Sequence, residues 1–212
     1  DTEGIRRIMN SYTTVTFNGN NYDMPILALA MAGKDCAELK EASDAIIVHD
    51  MKPWNFYKHF KCQPLSYDHI DIKEVAPGVM VSLKAYGARM HMPKLQDLPY
   101  DPDKPLTRQQ MREVSEYCLN DLETTRELFN QIKGRVELRE SMSAEYRTDL
   151  RSKSDAQVAE AVIKAELFRL SGKKLVKPSI RKASKEEILS YAYDTDLPIS
   201  VVTAMLNELC KN

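Results

Sequence analysis

The sequence has no CxxC pair, no cluster of cysteine with histidine, no long apolar run and no excess of charge, and each absence closes off a class of protein. Cys36, Cys62, Cys118 and Cys210 lie far apart, which excludes a structural zinc site and a disulfide scaffold. They read as reduced, mostly buried thiols of an intracellular protein. No stretch approaches the length of a membrane span, and the opening Asp1-Thr2-Glu3-Gly4 lacks signal-peptide character, so a soluble, cytoplasmic chain with no membrane partner is expected. A net charge of -1 gives no bulk attraction for nucleic acid, so any such binding must come from a local groove. Repeats and low-complexity tracts are absent too. At 212 residues the chain has room for one large domain, or for one domain and the start of another.

What is present reads as α/β. Residues 1–12 form a short helix, with Ile5, Ile8 and Met9 on one side, leading into the β-branched run 13–17. That strand ends at Asn18-Gly19-Asn20-Asn21, a cluster that tolerates positive φ and turns the chain sharply. Tyr22 and Asp23 follow, and Pro25 opens a short apolar helix that stops at Gly33. Asp23 either N-caps this helix or is a carboxylate presented at the carboxyl end of a sheet. Residues 35–60 are expected to be helical in two pieces broken at Pro53, with Trp54, Phe56, Tyr57 and Phe60 packing one side of the second. His49 and His59 have no partner at metal-ligand spacing and read as surface or core-edge residues. Residues 69–72 alternate as a strand, Ser82 caps a helix running to Arg89, and the Pro-rich stretch 93–105 is a loop.

Thr107 with Gln110 begins a capped helix that runs to Ile132 without Gly or Pro and continues through Met142. Met111, Val114, Cys118, Leu122, Thr125 and Phe129 recur at spacings of three and four and predict its buried stripe. Tyr117 and Asp121 stack one turn apart at the stripe's edge, where they form either a helix-surface hydrogen bond or a site. Beyond this helix, Arg147, Arg151 and Lys153 make a basic cluster, either solvated or facing a phosphate. Ser154 with Gln157 caps a helix that stops at Gly172. Residues 173–179 read as a linker, and helices are expected at 184–191 and 198–209.

Taken in order, Asn18-Gly19-Asn20-Asn21-Tyr22-Asp23 and Tyr117-Cys118-Leu119-Asn120-Asp121 resemble the second and third exonuclease motifs of the DEDD superfamily, in the subclass with Tyr in the third motif. The wording is nearest to family B DNA polymerases, and residues 82–89, 98–105 and 150–161 are similar to proofreading polymerases of tailed bacteriophages. The resemblance implies a ribonuclease H-like fold, a mixed sheet flanked by helices, in residues 1–140, with a helical extension over 141–212 toward a polymerase region of the same protein. It implies hydrolysis of single-stranded DNA from its 3′ end, with two Mg²⁺ or Mn²⁺ ions about 4 Å apart. Asp23 and Asp121 would be metal ligands lying close together, Tyr117 would orient the attacking water, and Asn18 and Tyr22 would hold the 3′ end. Lys84 reads either as a phosphate contact or as a snorkelling surface lysine.

One part of the pattern is out of place. Asp1-Thr2-Glu3 has the letters of the first motif, Asp-x-Glu, but precedes a helix, and it reads as a helix cap with acids favoured by the dipole. The first motif is therefore expected upstream, so that the domain is truncated, the strand at 13–17 has an open edge prone to association, and the chain alone is a poor exonuclease. Two other readings stand beside this one. One is a free-standing DEDD exonuclease; the other is a non-catalytic ribonuclease H-like module that binds single-stranded DNA or a protein.

Overall fold

A computed structural model describes residues 1–78 and 81–172. The linker expected at 173–179 and the helices expected at 184–191 and 198–209 lie outside the described residues. Asp1–Leu170 form one compact unit. The boundary expected at 140 falls inside an unbroken helix, α6 (Arg108–Tyr146). None of the helices among the described residues is long and apolar enough to cross a membrane.

Local signals set most of the element ends. Helix α1 (Thr2–Ser11) starts where the Asp1 carboxylate accepts the Gly4 amide at 3.0 Å, as expected for a cap, and Glu3 pairs with Arg6. Strand β1 (Thr14–Thr16) pairs in parallel with β2 (His69–Asp71), in the register Thr14 to His69 and Thr16 to Asp71. A parallel pair needs a long crossover. Here it contains helices α2 (Asp23–Met31), α3 (Cys36–Ile47) and α4 (Pro53–His59). These two strands are the whole sheet among the described residues, and the far edge of β1 pairs with none of them. Helix α5 (Leu83–Arg89) is capped by Ser82, α6 by a Thr107–Gln110 capping box, and α7 (Asp155–Ser171) starts where Ser154 and Gln157 exchange hydrogen bonds.

Two apolar clusters hold the unit together. One gathers Ile70, Ile72, Val75, Ala76 and Tyr86 against Leu128, Ile132 and Val136 of α6. The other packs α2, α3 and α4 around Leu29, Ala42 and Phe56. Trp54 does not join it. Two residues from the buried Phe56, it points to the opposite side of α4 and is 70% exposed.

The stripe expected on α6 is displaced. Met111, Cys118 and Leu122 are exposed, and the covered line runs Tyr117, Asn120, Asp121, Thr124, Leu128, Ile132, Val136, Arg139. The reason is how closely α5 approaches α6. A Cβ on Gly87 would stand only 3.0 Å from Leu95 and 3.3 Å from Thr124, so α5 comes nearest where both helices carry small side chains. Thr124 tolerates burial because its hydroxyl donates to the Asn120 carbonyl at 2.9 Å. The expectation of mostly buried thiols does not hold among the described residues, where Cys36 and Cys118 are exposed and Cys62 is half-buried.

Gly134 lies in the second half of α6, and a Cβ there would meet nothing within 4 Å. Gly134→Ala should therefore stabilise the protein by about 0.5–1 kcal/mol, read as a higher urea midpoint with an unchanged slope.

Candidate functional site

At the end of β1 the chain turns sharply, and one buried carboxylate shapes the turn. Asp71, 3% exposed, accepts the backbone N–H of Asn18 at 2.8 Å, of Asn20 at 2.9 Å and of Lys73 at 3.1 Å. Its own N–H donates to Ser152 at 2.9 Å. Asn18 takes a left-handed backbone, φ 70°, and its side-chain oxygen accepts both the Lys73 ammonium and the Asn21 amide. The next residue must be glycine, because a Cβ on Gly19 would fall 2.0 Å from the Thr16 hydroxyl. Tyr22 shares a 2.9 Å hydrogen bond with Ser43 of α3, so its hydroxyl is committed while its ring is partly exposed.

Asp23 is the first residue of α2, and the N-cap position belongs to Tyr22, which makes no side-chain capping bond. Capping therefore does not account for Asp23. Burial pushes its carboxyl above the usual aspartate range; its own backbone N–H lowers it in part, and the neighbouring Asp71 charge raises it again. A half-buried carboxylate that feels the charge of a second one is the kind of group that marks sites.

Tyr117 and Asp121 lie on α6. They open on a cleft of about 240 Å³ formed by α6, by Ser82, Leu83 and Lys84 at the start of α5, and by Leu95, Gln96 and Asp97 of the following loop. Burial first, then the nearby Asp121 charge, holds the Tyr117 phenol above the usual tyrosine range, so it keeps its proton at neutral pH. Lys84 forms an ion pair with Asp97, whose side chain is almost fully exposed, and such a pair is easily exchanged for another anion. The side-chain oxygen of Gln96 is buried with no hydrogen-bond partner. Asp23 is not among the residues that line this cleft. Among the described residues no three His, Cys, Asp or Glu side chains gather closely enough to hold a metal ion.

Sequence reasoning missed Asp71, Gln96 and Asp97 as parts of these sites. Alternation placed Asp71 on a strand, but its partners Asn18 and Ser152 are remote in sequence, and only the short polar side chains of the turn hinted at it. Arg151, read as solvated or phosphate-facing, is neither. Its guanidinium grips Asp149 at 2.8 Å and Asp68 at 2.7 Å, and Asp68 in turn accepts the Thr13 hydroxyl.

Asp71→Ala should cost about 3 kcal/mol or more in urea unfolding, because buried backbone N–H groups lose their acceptor. Asp23 acts in the opposite sense. Its folded-state pKa is raised, so its contribution to stability is fully present below the ordinary aspartate value of about 4 and is lost as pH rises through the raised value. Asp23→Asn should accordingly stabilise the metal-free protein at pH 7, with the gain shrinking toward zero as pH falls to about 4, measured by thermal unfolding across that range. Compared with protein-family models, curated proteins and solved structures, the chain matches none.

Proposed function

We propose that this chain is the 3′–5′ exonuclease part of a phage-type family B DNA polymerase. On this reading it is a ribonuclease H-like module, working in the cytoplasm of a host cell beside a polymerase region of the same protein. The observation that carries the reading is the Tyr117–Asp121 pair, set on the covered face of α6 at a cleft, with its phenol kept protonated. The turn that delivers Asp23 at the end of a parallel strand supports it.

The carboxylates of Asp23 and Asp121 suit Mg²⁺ or Mn²⁺ in kind, as hard oxygen donors, and would be the residues that hold the ions. In number they fall short of a two-ion site. Asp1 and Glu3 do not make up the difference, being engaged in the α1 cap and with Arg6. When bound, the ions supply an activated water and stabilise the leaving 3′ oxygen. The rest falls to side chains. The Tyr117 hydroxyl orients the attacking water, the Tyr22 ring stacks on a base, Asn18 offers its side-chain N–H₂, and Lys84 meets a phosphate by exchanging Asp97.

The test uses single-stranded DNA labelled at its 5′ end, with Mg²⁺ or Mn²⁺, on this chain and on the longest natural protein that contains it. Shortening from the 3′ end is expected in the longer protein. Tyr117→Phe should slow it by roughly ten- to ten-thousand-fold without weakening DNA binding, and Asp121→Ala should abolish it. An unchanged rate in Tyr117→Phe would make the hydroxyl structural. DNA binding without metal-dependent shortening in either protein would favour a non-catalytic binding module.

A further inference from the structure

Trp54, the chain's one tryptophan, sits on the solvent side of α4. Lys58 lies one helical turn further along the same side, Tyr57 flanks them, and Lys61 follows just past the helix end. From Tyr57 a groove of about 400 Å³ leads back to the turn at Asn20, lined by Tyr67, His69, Ser152 and Lys153 among others. His69 is committed to Thr16 at 2.8 Å, and burial lowers its pKa, so the imidazole is neutral at pH 7. The charges are unbalanced. The one carboxylate lining the groove, Asp149, is gripped by Arg151, and Asp50 near Trp54 is paired with Lys52. Lys58, Lys61 and Lys153 form no ion pair with any described residue.

A groove lined by Tyr57, Tyr67 and the unpaired Lys153, beside a helix face that exposes Trp54 and the unpaired Lys58, fits a polyanion that carries stackable rings. We propose that single-stranded nucleic acid runs from the turn at residues 18–22 through this groove and over α4, with a base stacked on Trp54 and phosphates at Lys58 and Lys153. The proposal extends the reading of single-stranded DNA as substrate to a contact surface outside the Tyr117 cleft.

The experiment titrates a twelve-nucleotide oligothymidylate into the 212-residue chain in EDTA, so that nothing is cleaved, and follows the emission of the single tryptophan. Quenching is expected. In anisotropy titrations with labelled oligonucleotide, Trp54→Ala should weaken binding roughly five- to hundredfold, the range for losing one base stack. Lys58→Glu and Lys153→Glu should each flatten the slope of log affinity against log salt by about 0.7, the value for one lost phosphate contact on a single strand. DNA that binds without quenching, with affinity indifferent to Trp54→Ala and Lys153→Glu, would overturn the proposal, as would an absence of binding. Emission that responds to protein concentration and not to DNA would assign the surface to a second copy of the chain and overturn it equally. Quenching in the 212-residue chain, with no metal-dependent shortening by it or by the longest natural protein that contains it, would sink only the exonuclease reading.

Discussion

The unit depends on a negative charge kept out of water. The Asp71 carboxylate forms an ion pair with no arginine or lysine among the described residues; backbone N–H dipoles from Asn18, Asn20 and Lys73 solvate it instead. That arrangement welds the end of β1 to the end of β2 and sets where α2 begins. The helices of the crossover then follow, since α2 supplies the Leu29 against which α3 and α4 pack. Asp23 sits on the same turn, where burial chiefly, and the Asp71 charge in small part, raise its carboxyl. Half-covered, Asp23 holds its charge at a cost that a bound cation would relieve.

Element ends were largely legible because caps are local chemistry. Ser82, Thr107 with Gln110, and Ser154 with Gln157 each satisfy amides within three residues of themselves, and each cap stands where the sequence put it. Faces were less legible. On α6 the hydropathy pattern favoured Met111, Cys118 and Leu122, yet helix approach is governed by where backbones can come close, and Gly87 opposite Thr124 decides that. Trp54 belongs with Phe56, Tyr57 and Phe60 by composition, yet the buried Phe56 fixes which side of α4 faces inward and leaves Trp54 outside.

The candidate site was legible in its parts and not in their arrangement. The spacing of Tyr117 and Asp121 guarantees that they share a side of α6, and the structure sets both at one cleft. Their relation to Asp23 depends on contacts between segments far apart in the chain, which no local pattern encodes. Asp71 and the Gln96–Asp97 corner belong to the same category, since each acquires its role from neighbours contributed by other elements.

Helix α6 carries a further consequence as a measuring rod. Near one end it holds the cleft residues; near the other, buried Arg139 donates to the Lys153 carbonyl at 2.9 Å and pairs with Asp155. At 1.5 Å of rise per residue, Tyr117 and Arg139 are about 33 Å apart along its axis, a separation that loop motion cannot alter. The Lys153 backbone is moored to the far end of the rod that carries Tyr117, so a molecule touching both would be held at a set extension, whatever its sequence. Only Gly134, unpacked between those two ends, gives the rod a place to bend.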